Sequence, residues 1–318
     1  MELHLLLEAV GYIILIVIGI PGNLTILILF AHIRISTKKL LPIDLILTNL
    51  AFVNVITILS EAIPQCLTAF GLHRLFSDVE CMIVIFSFFS TRGMSICITS
   101  LLSCYQLIII FPHSSKITIF KNNILKRVFQ IISLLWCFNI FIYVWILPYS
   151  YSDAESFESE NIVDLEYCVI IFPNYSYFMT IGAVRIFRDF LFLILMVIAS
   201  TFIVLILYRH NRNMKHTLNS SRIQSDSTEG RVAKGVVTMV VMYIFFYGVD
   251  NIFWLYTLCI LKASPEISDM RTFFTTCYSV FSSVIIILMN KKIKRALKLA
   301  IPCIKSQSRE NIVSHVQI

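Results

Sequence analysis

Charge is scarce in this chain. Asp, Glu, Lys and Arg make up 14% of its 318 residues, against 58% hydrophobic residues. A soluble fold would have to hide long helices that are apolar all round, which so little polar surface cannot do. The marks of catalysis are missing too. There is no Ser-His-Asp set, H-E-x-x-H, G-x-S-x-G or phosphate-binding loop, so an enzyme is not expected. The nine cysteines form neither a C-x-x-C pair nor a Cys/His cluster. His4, His32, His73, His113, His210, His216 and His315 all lie in or beside loops and tails, which excludes an intramembrane metal site of several histidines. No cofactor is expected. No internal repeat is visible, unlike the matched halves of many transporters. The first residues, Met-Glu-Leu-His, carry no basic region that would mark a cleavable signal peptide.

What the chain does have is seven long apolar stretches. They run over Leu5–Ala31, Ile43–Phe70, Met82–Phe111, Val128–Tyr149, Tyr175–Leu207, Val232–Leu261 and Thr272–Met289. Each holds the ~18–20 apolar residues that span a hydrocarbon core as a helix. The expected fold is therefore an all-α membrane protein, a seven-transmembrane bundle over residues 1–302. A short amphipathic eighth helix should cover Lys291–Ile301 on the lipid surface, followed by a disordered cytoplasmic tail, 303–318. Cys303 is a candidate palmitoylation site. The stretch Asn211–Glu229 reads as a mobile loop from its Ser, Asn and Thr content.

The net charge of +7 does not point to nucleic acid, because the basic residues alternate with the apolar stretches. Arg34, Lys38, Lys126, Arg127, Arg209, Arg231, Lys234 and Lys292 fall on one side. Asp153, Glu155, Glu158, Glu160, Asp164 and Glu166 form a run without a basic residue on the other. The positive-inside rule then places the N-terminus outside and the C-terminus in the cytoplasm, with basic residues facing membrane lipid. Cys81, at the outer start of the third helix, and Cys168, in the long outer loop, are expected to form a disulfide; two free thiols are the alternative. Asn174-Tyr175-Ser176 is a glycosylation sequon on the same loop.

Ionisable residues within a bilayer are functional candidates by default. Glu61, Arg92, Arg185, Arg188, Asp189 and Asp250 are such residues. At the ~1.5 Å rise per helical residue, Glu61, Arg92, Arg188 and Asp250 lie ~13–17 Å from the outer ends of four helices. That shared level predicts an outward-opening, water-filled pocket lined by Glu61, Arg92, Arg188, Asp189 and Asp250 with aromatic neighbours. The alternative is mutual neutralisation, Glu61 with Arg92 and Arg185 with Asp189. Asn23, Asn49 and Asn54 are expected to bond across helices, and Pro21 and Pro64 to kink theirs.

Several motifs together carry a resemblance. They are Pro42-Ile43-Asp44-Leu45-Ile46-Leu47, Ile63-Pro64-Gln65, Ala69-Phe70-Gly71-Leu72, Arg92-Gly93-Met94-Ser95-Ile96, Phe187-Arg188-Asp189 and Leu207-Tyr208-Arg209-His210. As an ordered set over residues 20–290 they resemble the vomeronasal type-1 receptors and their fish olfactory relatives among rhodopsin-like G-protein-coupled receptors. The wider pattern is broken in places: Tyr105-Gln106-Leu107 stands where Asp-Arg-Tyr is usual, and Asn54 replaces the sodium-holding Asp. The resemblance implies a plasma-membrane receptor for small pheromone-like or odorant molecules, coupled to an inhibitory-type heterotrimeric G protein. Tyr105, Gln106, Arg209, Arg231 and Lys234 are the expected coupling residues. A bitter-taste-type receptor is the alternative within the superfamily, and a small helical transporter or channel the alternative outside it.

Overall fold

In a computed structural model, the described residues are 3–38, 40–72, 75–111, 126–153, 162–217, 228–260, 265–290 and 292–294. Among these residues, seven helices are long and apolar enough to cross a membrane. They are α1 (Leu3–Thr37), α2 (Pro42–Ala69), α3 (Asp78–Ile110), α4 (Val128–Tyr143), α5 (Tyr175–Thr217), α6 (Thr228–Ile260) and α7 (Pro265–Met289). A helix satisfies its own backbone polar groups, which is why apolar runs of this length take that form in lipid. Large apolar side chains such as Val17, Leu134, Phe187 and Ile252 line the outer surface.

Several ends differ from the sequence expectation. The stretch read as a mobile loop from Asn211 is helical to Thr217, and α6 resumes at Thr228. α7 begins seven residues before Thr272, which draws Arg271 into the bundle. Both shifts have one cause: polar residues continue a helix beyond its apolar span wherever the backbone can keep bonding. Residues 292–294 are helical; the rest of the expected eighth helix, Cys303 and the tail lie outside the described residues.

α3 is the axis of the bundle. It packs against α2, α4, α5 and α6, and every side chain from Phe88 to Ser100 is buried. Small residues at Ser90, Gly93, Ser95 and Ser100 allow its neighbours to approach. Its first turn is tied by Glu80, whose carboxylate accepts from Ser77 N at 2.8 Å and Ser77 Oγ at 2.9 Å.

α2 is not uniform. A π turn over Ile58–Ala62 interrupts it just before Pro64. Pro64 has no N–H to give the carbonyl of Ser60 and its ring crowds that carbonyl, so the local turn widens instead of keeping α-helical register. Glu61 stands within the widened turn. α1 continues through Pro21 without a break. The amides behave as expected. Asn54 Nδ2 donates to Asn23 Oδ1 at 3.2 Å and to Ser282 Oγ at 2.8 Å, tying α1, α2 and α7. Trp136 Nε1 donates to Asn49 Oδ1 at 3.4 Å.

One end of the bundle carries the disulfide. Cys81 at the start of α3 is bridged to Cys168, with Cα atoms 5.7 Å apart. The bridged loop contains a small antiparallel sheet, which modifies the all-α expectation. Its strands are β1 (Ser150–Tyr151), β2 (Ile162–Asp164) and β3 (Val169–Ile171), in the order β1-β3-β2. β3 is fully buried, and pairing satisfies its backbone there. Asp78 accepts from Ser152 N at 2.8 Å and Ser152 Oγ at 2.7 Å, fastening β1 to α3. At the opposite, basic end, Lys292 Nζ donates to Asp44 Oδ2 at 2.7 Å.

Candidate functional site

The intramembrane charges come together, but all except one pair have partners the sequence did not give them. Asp250 of α6 is the hub. Its Oδ2 meets Arg92 Nη2 of α3 and lies 3.3 Å from Arg185 Nη2 of α5. Its Oδ1 accepts from Arg271 Nε of α7 at 3.0 Å. One fully buried carboxylate therefore joins four helices. Arg271, which the sequence reading placed outside the apolar stretch, is a site residue it missed.

A second group adjoins the first along α5. Asp189 Oδ1 accepts from Arg188 Nη2 at 2.6 Å and Nε at 3.0 Å, and Asp189 Oδ2 lies 4.0 Å from Arg185 Nε. Arg188 Nη1 also donates to Asn139 Oδ1 of α4 at 3.1 Å. This junction needs a glycine: a Cβ on Gly93 would collide with the Asn139 amide and the Arg188 guanidinium. Thus Arg185–Asp189 is the one expected pairing that the structure contains.

The expected Glu61–Arg92 pair is not formed. Glu61 Oε2 instead accepts from Thr276 Oγ1 of α7 at 3.4 Å, and Glu61 Oε1 has no hydrogen-bond partner among the described residues. Arg92 is turned to Asp250, and its Nε and Nη1 make no hydrogen bond among the described residues. Aromatic faces cover the cations. Arg92 lies over Tyr247 at 5.4 Å, Arg185 over Phe89 at 5.8 Å and Arg188 over Tyr143 at 5.2 Å. Cation–π contact of this kind is attractive, more so when desolvated. Of the other aromatics at this level, Phe88 and Phe246 are buried, while Phe187 and Phe245 are exposed on the outer surface.

Each of Glu61, Arg92, Arg185, Arg188, Asp189, Asp250 and Arg271 is at most 5% exposed. The arrangement is a packed polar core, and charges so buried persist only through pairing. A cavity of about 220 Å³ touches it between α3, α5 and α6, lined by Asp189, Tyr243, Tyr247, Asn251, Ile96 and Leu193. The disulfide loop reaches the same level. Tyr167 is buried, and burial first, then the carboxylates of Glu61 and Asp269, push its phenol up from the usual tyrosine range, so it stays neutral.

The remaining predicted residues lie apart from this core. Asn174 is exposed before α5, where its Oδ1 accepts from Tyr177 N at 2.8 Å as a helix cap. Tyr105 and Gln106 are buried near the basic end of α3, whereas Arg209 and Lys234 are exposed on α5 and α6. Arg231 falls on α6 in the same region.

Comparison with known proteins bears on what this arrangement belongs to. The profile of the Vomeronasal organ pheromone receptor family matches residues 9–299. Olfactory receptor class A-like protein 1 of Danio rerio is 32% identical over 305 residues, covering 94% of this chain and 94% of that protein. Vomeronasal type-1 receptor 2 of Homo sapiens is 26% identical over 274 residues, covering 85% of this chain and 69% of that receptor. Among solved structures, the crystal structure of squid rhodopsin aligns with a TM-score of 0.71 at 15% identity, covering 93% of this chain and 85% of rhodopsin. At that identity the likeness concerns the fold alone.

Proposed function

The chain belongs to the vomeronasal pheromone receptor family, and from that premise we propose that it is a chemosensory receptor whose ligand acts on the Arg92–Asp250 pair. The family is one of receptors, not enzymes, and the chain is a multi-pass membrane protein. In this reading the N-terminus is outside the plasma membrane and the disulfide end receives a small pheromone-like or odorant molecule. Glu61, Arg92, Arg188, Asp189 and Asp250 supply its polar contacts. The basic end activates a heterotrimeric G protein of the inhibitory type.

The observation that carries the proposal is the asymmetry of the hub. Among the described residues Arg92 has one carboxylate at ion-pair distance, and its Nε and Nη1 make no hydrogen bond. Asp250 has Arg185 and Arg271 as well. An anionic or strongly polar ligand group could therefore take Arg92 from Asp250 without stranding the carboxylate. The ion pair between α3 and α6 would be exchanged for one between α3 and the ligand, and α6 would be released relative to α3. A rigid-body shift of packed helices at the basic end is the kind of change a transducer reads. Tyr105, Gln106, Arg209, Arg231 and Lys234 lie on the elements that would form that surface.

The test is Arg92→Met in cells carrying a calcium reporter, screened with a panel of small acids and neutral odorants. Because Asp250 keeps two cations, the variant should reach the surface. A hydrogen bond to a charged group contributes ~1.5–3 kcal/mol, so agonist potency should fall roughly ten- to hundredfold. Unshifted dose–response curves for every agonist at matched expression would remove Arg92 from the ligand site. Charge reversal at Arg231 and Lys234 should lower signalling while ligand binding persists; unchanged G-protein activation would refute that placement.

A further inference from the structure

The basic end holds a cavity of about 280 Å³ between α2, α3, α6 and α7. It is separate from the charged core and has a distinct chemistry. Most of its wall is aliphatic, from Leu47, Leu102, Val236, Met239 and Ile286. Two formal charges line it, Asp44 and Lys292, and they neutralise each other across 2.7 Å. One donor is left over: Gln106 is 3% exposed, and its Nε2 has no hydrogen-bond partner among the described residues.

We propose that this cavity is a second small-molecule site, taking a neutral and largely apolar molecule with a hydrogen-bond acceptor for the Gln106 amide. Its volume is at the lower edge of the ~300–1,000 Å³ of ordinary ligand pockets, which suits a compact ring system. Neutrality follows from the Asp44–Lys292 pair, since a charged occupant would leave one of these partners or itself uncompensated. The acceptor follows from Gln106, because a buried donor without a partner is costly and any acceptor relieves it. The cavity is walled on one side by a close approach of two helices: a Cβ on Gly235 of α6 would lie 2.8 Å from Met289 Cγ of α7. An occupant touching both pairs of helices would stabilise the arrangement that forms the cavity, and so oppose their separation.

Benzophenone is a suitable probe: neutral, apolar, with one carbonyl acceptor, and photoreactive toward methionine. The full-length receptor in lipid nanodiscs would be irradiated with increasing benzophenone and its adducts mapped by mass spectrometry. Saturable labelling at Met239 or Met289 is expected. Gln106→Leu keeps the volume and removes the donor, and should raise the half-saturating concentration roughly fivefold. Leu102→Trp should fill the cavity and abolish labelling. Should the tryptophan variant not fold, the leucine variant decides alone. Labelling that rises without saturation, spreads evenly over lipid-facing residues such as Leu134 and Phe187, or is unchanged in Gln106→Leu overturns the site. The readout is binding, so it stands or falls independently of ligand recognition at Arg92.

Discussion

Asp250→Asn isolates the energetics of the polar core. The substitution keeps size and an acceptor oxygen but removes the one negative charge shared by Arg92, Arg185 and Arg271. All three guanidiniums are almost fully buried. Removing one partner of a buried pair costs ~3–5 kcal/mol, because the other charge is left uncompensated. Against a net stability of ~5–15 kcal/mol, that removes a large fraction of what holds a membrane bundle together. Glu61→Gln is the control. It changes an equally buried carboxyl at the same level, one that accepts a 3.4 Å hydrogen bond from Thr276 and stands in no ion pair among the described residues. That change should be neutral or stabilising. The assay is surface fraction by flow cytometry of an N-terminally tagged receptor, together with melting temperature in nanodiscs. Asp250→Asn should lose most surface receptor and melt markedly lower, and Arg271→Met added to it should restore part of the loss, since coupled sites interact by ~0.5–3 kcal/mol. Equal behaviour of Asp250→Asn and Glu61→Gln would refute the assignment of Asp250 as hub.

Cys81→Ala and Cys168→Ala should each lower thermal stability by ~2–5 kcal/mol, and the double variant no further; additive losses in melting experiments would contradict a shared bridge. Gly93→Ala should destabilise by ~1–3 kcal/mol through its clash with Asn139 and Arg188, read as reduced surface receptor; wild-type levels would mean that the junction can shift freely. Asn174→Gln should abolish an endoglycosidase-sensitive mass shift and, by removing the helix cap, cost about 0.5–2 kcal/mol of stability; an unchanged gel mobility would show that the sequon is not used.

The spans and the level of the charges were legible in the sequence, because both depend only on length and rise along a helix. The pairing was not. Successive residues turn by about 100° around a helix, so residues at one depth can face any of several neighbours, and Arg92 faces Asp250 instead of Glu61. The π turn before Pro64 adds a local change of phase around Glu61 itself that no periodicity announces. Arg271 was missed because charge beside an apolar stretch looks like a connector, although α7 had already begun at Pro265. The three short strands carry no pattern long enough to read, and their pairing depends on the loop being folded under the disulfide.

The hub also sets a schedule for biogenesis. Arg92 and Asp250 are separated by roughly 160 residues of chain. At ~5–20 residues per second of synthesis, a ribosome needs ~8–30 s between making one and making the other. Throughout that interval the third span sits in or beside the translocon with an arginine whose carboxylate does not yet exist. Arg185 also arrives before the hub, but Asp189 follows it four residues later on the same helix, so Arg92 is the cation that waits. The nascent bundle must therefore be sheltered, by hydration within the translocon or by a membrane chaperone, until α6 emerges. Slowing translation downstream of α5 would lengthen the stage at which quality control can remove it.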